Sequence, residues 1–175
     1  MPTKYTMISI RRQFVGQTVV YNHVVRTRSL ADFDLSKLED VSLDISAIRC
    51  SCQCWSLTKI HRTGGLIAFH GDYRLGSAGA DDAQYIKWRI NEFCDLSPYH
   101  ISGLILDCRA LNYEWGDDLY LDASTKPHGF PTLVVLNDPQ RKPFSYAVRS
   151  DQMRFDLTQA LAEMNDIFRA MKPLL

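Results

Sequence analysis

Two short, uninterrupted apolar runs constrain the fold of this chain most. The first covers residues 104–106 and stops at Asp107, and the second covers residues 133–136 and is closed by a turn sequence at 137–139. Apolar runs without alternating polar residues are typical of strands that are covered on both faces, as in a parallel sheet. The sequence therefore favours an α/β fold.

Two amphipathic segments supply helices for such a sheet. Apolar side chains recur at helical spacing after Asp81 and Asp82, which are expected to cap a helix near 80–95. A second segment keeps the same periodicity over about 152–171. We predict a single α/β domain over residues 1–175, with a mixed, partly parallel sheet packed against these helices.

The remaining strands are predicted in the first half of the chain and after the second apolar run. Residues 5–27 fit one or two strands with a turn near 16–17, and residues 28–46 are expected to be a connection. Residues 47–60 and 66–69 should form a hairpin about a tight turn at 63–65. A short further strand is expected at 144–148, and the antiparallel strands of the first 60 residues are expected at one edge of the sheet.

Charge and composition argue against several functional classes. Twenty basic residues balance twenty acidic ones, which is untypical of a nucleic-acid-binding domain. No apolar run approaches the roughly 20 residues that span a bilayer, and the N-terminus lacks the pattern of a secretory signal. We expect a cytoplasmic protein with mostly free thiols that binds neither nucleic acid nor a membrane.

The cysteines alternate along one predicted strand. Cys50, Cys52 and Cys54 share one face by the period of two, and free cysteine behaves as a small hydrophobe. The favoured interpretation is a cysteine-lined face of the core, with a metal site or redox chemistry as alternatives. The chain shows no GxSxG, Walker or GxGxxG pattern and no histidine pair at ligand spacing. No catalytic residue, metal ligand or cofactor is predicted.

The candidate site is the loop that follows the first apolar run. It holds aromatic and acidic side chains: Tyr113, Glu114, Trp115, Asp117 and Asp118. Ligands and partners of α/β proteins bind beyond the carboxyl ends of the strands, and aromatic residues are frequent at interface hot spots. We predict that these five residues bind a protein partner with a basic surface. The alternatives are that the aspartates cap a following helix, that the aromatic rings fold onto the core, or that the acidic residues with Asp122 hold a divalent cation or act as an acid–base pair.

Residues 104–119 resemble the segment of the crotonase family in which a hydrophobic strand leads into a GRAFSAGADL-type loop. Residues 130–137 are similar to the KPVIAAVNG strand of that family, and the strand, loop and helix predicted at 66–94 fall in the matching place. Together these segments cover roughly residues 66–138. Crotonases build an oxyanion hole from backbone amides in a glycine-rich stretch, whereas residues 138–143 here contain two prolines and no glycine. The β-α-β-α alternation is equally similar to the sulfate-transporter and anti-sigma-antagonist domains.

We therefore expect a non-enzymatic protein-binding module, with a bacterial immunity or antagonist role as the hypothesis for its biology. In that hypothesis the loop at 112–122 blocks the basic active site of a partner. The alternative that the crotonase resemblance implies is a small enzyme acting on an acyl thioester. Its backbone amides would lie near His70, Gly71 and Gly116, and Asp117 or Glu114 would be the base.

Overall fold

The computed structural model describes residues 5–14, 17–26, 44–96, 100–116, 118–119, 121 and 129–171. The contacts divide the chain into two compact units, residues 1–42 and 43–175. In the first unit, β1 (Tyr5–Phe14) and β2 (Gln17–Arg26) pair antiparallel, so the segment predicted as one or two strands forms two. Most of the predicted connection at 28–46 lies outside the described residues, and a single domain over 1–175 stays a prediction.

The second unit is built on a five-stranded sheet. Its strands stand in the order of their sequence: β3 (Arg49–Leu57), β4 (Arg62–Asp72), β5 (Ile101–Asn112), β6 (Thr132–Val135) and β7 (Met153–Arg154). The pair β3–β4 is antiparallel and the other three pairs are parallel. The predicted α/β class, with a mixed and mostly parallel sheet, is confirmed.

Among the described residues, three α-helices accompany this sheet: α1 (Ala80–Leu96), the single turn α2 (Arg141–Phe144) and α3 (Leu157–Ala170). Both long helices were predicted, but α3 begins later than expected. Asp156 ends the preceding extended segment and caps α3, because its side chain accepts a hydrogen bond of 2.7 Å from the Gln159 amide. None of the helices that the structure describes is long and apolar enough to cross a membrane.

The strand β5 alternates between two cores, one on each face of the sheet. Leu104, Leu106 and Cys108 belong to the cluster that contains the α1 side chains, whereas Ile105 belongs to the cluster that contains the α3 side chains. All four are fully buried. Both faces of β5 are therefore covered, as the apolar run predicted.

The predicted hairpin is present, but its turn lies earlier than expected. The chain reverses at Thr58–Ile60 and His61, whose φ is 50°. The predicted turn residues Gly64 and Gly65 lie inside β4 instead. Glycine suits these two positions because aromatic rings occupy the space that a side chain would need. A Cβ on Gly64 would stand 2.2 Å from the Trp55 ring, and one on Gly65 would stand 2.5 Å from the Phe93 ring.

The prediction of a short strand at 144–148 is wrong. Phe144 ends α2 and the following residues form a turn, while the fifth strand is β7. That strand pairs with the end of β6, where the Leu136 amide donates a 2.9 Å hydrogen bond to the Arg154 carbonyl. Phe144 is fully buried and packs in the core on the α1 side of the sheet.

The predicted cysteine-lined core face is also wrong. Cys50 is half-buried, and Cys52 and Cys54 are exposed. The reason is the position of β3 at the edge of the sheet, where the packing of α1 reaches Cys50 and leaves the next two thiols open. Alternation along a strand defines a common face, but only the neighbouring elements decide whether that face is buried.

Candidate functional site

Three loops leave the sheet at the same edge. Because β4, β5 and β6 are parallel, their carboxyl ends lie together and are followed by residues 73–79, 113–116 and 136–149. We call these segments the carboxyl-edge loops. Among the described residues, four large hydrophobic side chains are exposed, and three of them lie in these loops: Leu75, Trp115 and Tyr146.

Trp115 is the exposed aromatic of the predicted loop. It is 56% exposed, and one edge of its ring rests on Gly76. A Cβ on Gly76 would stand 3.0 Å from the Trp115 ring, and the φ of 59° at this position also favours glycine. Gly76 and Gly116 form an isolated parallel bridge. The loops after β4 and β5 are therefore joined directly beside Trp115.

Tyr113, predicted as a partner-binding residue, is a core residue, with 4% of its surface exposed. Its ring packs edge-on against Tyr73, with centroids 5.0 Å apart, and lies 4.7 Å from the ring of Phe144. Its hydroxyl donates a 3.3 Å hydrogen bond to the Gly116 carbonyl. The prediction of an exposed side chain is wrong here because Tyr113 continues the alternation of β5, in which Leu111 points inward.

The predictions for the acidic residues of the loop turn out differently from one residue to the next. Glu114 and Asp118 are exposed, as predicted, whereas Asp117 lies outside the described residues. The capping alternative is wrong for Asp118, which has a φ of 66°, because Leu119 and Leu121, the described residues that come next, are not helical. Leu119 and Leu121 are both buried, with 4% of their surface exposed.

The loop after β6 is fastened to the end of β5. The Gln140 side chain donates hydrogen bonds of 2.9 Å and 2.6 Å to the carbonyls of Cys108 and Leu111. The Asn137 side chain donates one of 2.7 Å to the Arg109 carbonyl. These bonds satisfy backbone groups of β5 beyond the last residue that β6 pairs with, so the loop is held against its neighbour.

A buried ion pair, which the sequence did not predict, holds the loop after β4. The carboxylate of Asp82 is 1% exposed and accepts hydrogen bonds of 2.9 Å from the Nε, the Nη2 and the backbone amide of Arg74. Ser46 donates a further bond of 2.6 Å. Burial raises the pKa of Asp82, but the bonds from Arg74 and Ser46 outweigh it and leave this pKa below its usual value.

The position of Asp82 in the first turn of α1 is as predicted, but its carboxylate is turned towards Arg74 and Ser46. Arg74 also donates a 3.0 Å bond to the Ile45 carbonyl. The network thereby ties the loop after β4 to α1 and to the segment before β3. No local spacing could have found it, because the Asp82–Ser46 contact spans 36 residues.

The two glycines whose amides the enzyme alternative would use both lie in paired backbone. Gly71 lies in β4 opposite Leu111 of β5, and Gly116 lies opposite Gly76. Within the described part of the chain, no group of three or more His, Cys, Asp and Glu side chains could hold a metal ion. The acyl-thioester activity stays a prediction.

The fold and the site define a three-layer α/β unit with a supported, exposed tryptophan and acidic neighbours at the carboxyl edge of its sheet. No family model, curated protein or solved structure matches this chain.

Proposed function

We propose that this chain is a non-enzymatic protein-binding module whose carboxyl-edge loops bind a partner protein with a basic surface. The observation that carries the proposal is Trp115, which is more than half exposed although the backbone of its neighbour Gly116 is bridged to Gly76 and accepts a hydrogen bond from Tyr113. An aromatic residue that is ordered before binding loses little conformational entropy when a partner covers it. Such residues are frequent hot spots.

The charges beside Trp115 support the choice of partner. Glu114 and Asp118 are exposed on either side of it in the sequence. Arg74, on the adjoining loop, is bound to Asp82 and lies 3.6 Å from Asp81, so its charge is compensated within the chain. These two carboxylates would attract a basic partner and accelerate its association, whereas Arg141 and Lys142, exposed on the loop after β6, carry the opposite charge. A partner enzyme with a basic active site, blocked by this loop, is the finer hypothesis.

The role that we propose for Tyr113 is positioning. It fills the space beneath the loop and its hydroxyl holds the Gly116 carbonyl, next to Trp115. We also propose a cytoplasmic location, because Cys52 and Cys54 are exposed free thiols, which suit a reducing compartment.

A photo-crosslinking amino acid at position 115 tests the proposed surface in the native host. The matched control places it at Trp88, the other exposed tryptophan of the described residues, which lies on α1 and is 43% exposed. We expect a protein partner crosslinked from position 115 and not from position 88. Its affinity for the purified chain is then measured by calorimetry.

Replacing Trp115 by alanine should weaken that complex by about 30-fold or more, the effect of a hot spot of about 2 kcal/mol. Glu114→Lys should slow association and reduce its dependence on salt. Trp88→Ala should change neither quantity. The proposal is wrong if crosslinking is equal from both positions, or if folded Trp115→Ala binds within about threefold of the parent chain.

A further inference from the structure

The five-stranded sheet ends in two edges that differ in length and charge. Among the described residues, β3 pairs only with β4 and β7 pairs only with β6, so each of these outer strands has one open edge. The β7 edge is two residues long, and its Arg154 is ion-paired with Glu163. Short strands and charges are the means by which natural proteins prevent a sheet edge from pairing with another chain.

The β3 edge is long, regular and almost uncharged. β3 pairs with β4 over its whole length of nine residues without a bulge. Its one charge is on its first residue, Arg49, which donates a 2.9 Å hydrogen bond to the Ser46 carbonyl and lies 3.8 Å from Asp44. Residues 50–57 contain no charged residue, proline or glycine. Such an edge is suited to the addition of another strand.

The backbone of β3 restricts how a second copy of the same strand could be added. Along a strand in a sheet, successive residues direct their N–H and C=O groups alternately to one side and to the other. Two opposed residues in an antiparallel pair must both direct these groups towards the other strand or both away from it. In a symmetric pair their numbers therefore differ by an even count. Full overlap of the nine residues is centred on Gln53 and meets this condition.

The side chains of β3 are compatible with that register. Cys52 lies opposite Cys54 of the second copy, and the half-buried Trp55 lies opposite the small, exposed Ser51. The two copies of Arg49 lie at opposite ends of the pair, about 27 Å apart at about 3.4 Å for each residue. Like charges directly opposite each other destabilise antiparallel pairs, and none of the opposed pairs in this register has them.

We infer that β3 is the interface of a homodimer, in which two copies of the chain pair antiparallel about Gln53 and join their five-stranded sheets into one sheet of ten strands. The nine opposed pairs supply about eight to ten backbone hydrogen bonds between the copies. The interface is isologous, so both copies use the same strand and the assembly closes at two. The short, ion-paired β7 edge does not extend it. The carboxyl-edge loops are separate from β3, so the dimer carries two copies of them.

Light scattering of the full chain in reducing buffer measures its mass over a range of concentrations. We expect a mass that rises to twice that of one chain as the concentration increases, because association of two copies depends on concentration. A chain that stays monomeric up to the limit of its solubility would overturn the inference, because a second copy would then not occupy the β3 edge.

Disulfide trapping tests the strand and its register. Opposed residues of antiparallel strands have Cα atoms about 4.5 or 5.5 Å apart, within the range of disulfides. Diamide, which takes up the two electrons and two protons of a pair of thiols, should link Cys52 of one copy to Cys54 of the other. Cys94 and Cys108 are buried and do not compete.

Two single variants distinguish this link from a bond within one chain. Cys52→Ser and Cys54→Ser each lack one member of the pair, so neither should form a covalent dimer alone. Their equal mixture should form one, with the link between the remaining Cys54 and Cys52 found by peptide mass spectrometry. A covalent dimer from either variant alone, or none from the mixture, would overturn the pairing about Gln53.

Charges at the two-fold axis give an independent test. Gln53 is exposed and lies opposite its own copy, so Gln53→Lys and Gln53→Glu each place like charges together and should weaken the dimer by up to about fivefold. An equal mixture of the two variants should restore it. Gln159→Lys, at an exposed glutamine of α3, is the matched control and should have no effect.

Circular dichroism of each variant shows whether the fold is kept. Equal dimer affinities for Gln53→Lys, Gln53→Glu and their mixture at low salt would overturn the inference.

Discussion

Removing the charge of Arg74 tests whether the buried ion pair stabilises the carboxyl-edge loops. The change is Arg74→Met, which keeps an apolar stem of similar length and deletes the two guanidinium hydrogen bonds to Asp82. The Asp82 carboxylate, which is 1% exposed, would then keep only Ser46 and one backbone amide as donors. A buried charge that has lost its partner is strongly destabilising.

The expected loss can be bounded from the exposure of the two partners. Removing one member of a fully buried pair costs roughly 3–5 kcal/mol. The Arg74 side chain is 45% exposed, so water already screens part of the interaction, and we expect about 2–3 kcal/mol. For a unit of this size that corresponds to a fall in Tm of about 6–12 °C. The exposed pair of Arg169 with Asp166 supplies the control, because Arg169→Met should cost under about 0.5 kcal/mol.

The pH dependence gives a second, independent readout. In the parent chain the pKa of Asp82 is lowered, so the pair contributes its full stability at neutral pH and loses it as the pH falls through that pKa. In Arg74→Met, burial should raise the pKa of Asp82 above its unfolded value. The variant then carries its penalty at neutral pH and is relieved of it on acidification.

The difference in unfolding free energy between parent and variant should therefore narrow from pH 7 to pH 4, as measured by urea denaturation at each pH. A difference below about 0.5 kcal/mol at pH 7, or one that stays constant down to pH 4, would show that the Asp82 charge is not compensated by Arg74.

Further substitutions test the packing of the core and the cap of α3. Gly64→Ala places a methyl group 2.2 Å from the Trp55 ring, and it should cost about 1–3 kcal/mol in urea denaturation and shift the tryptophan fluorescence. Tyr113→Ala should cost about 3–5 kcal/mol because the side chain is buried, whereas Trp115→Ala should cost less than about 1 kcal/mol; similar losses for the two would contradict their assigned roles. Asp156→Ala removes the cap of α3, whose bond to the Gln159 amide is 2.7 Å long, and should lower the unfolding free energy by about 1 kcal/mol. An unchanged free energy of unfolding would show that this bond does not stabilise the helix.

The parts of the fold that could be predicted are those with a local signal. The buried strands β5 and β6 follow from apolar runs, and α1 and α3 follow from apolar side chains at helical spacing. The loop after β5 was also predicted from a local signal, because the apolar run of β5 ends in the sequence and polar and aromatic residues follow it. The burial of the Tyr113 side chain could also have been predicted, because Tyr113 continues the alternation of buried residues from Leu111.

What the sequence by itself determined is therefore the class of the fold and the edge of the sheet that carries the exposed aromatic. The tertiary structure decided which side chains are exposed, both at that edge and elsewhere in the fold. Cys52 and Cys54 are open because β3 lies at the edge of the sheet, and Asp82 is buried because Arg74 and Ser46 enclose it. Local periodicity records which side chains share a face, whereas burial depends on elements that are distant in sequence.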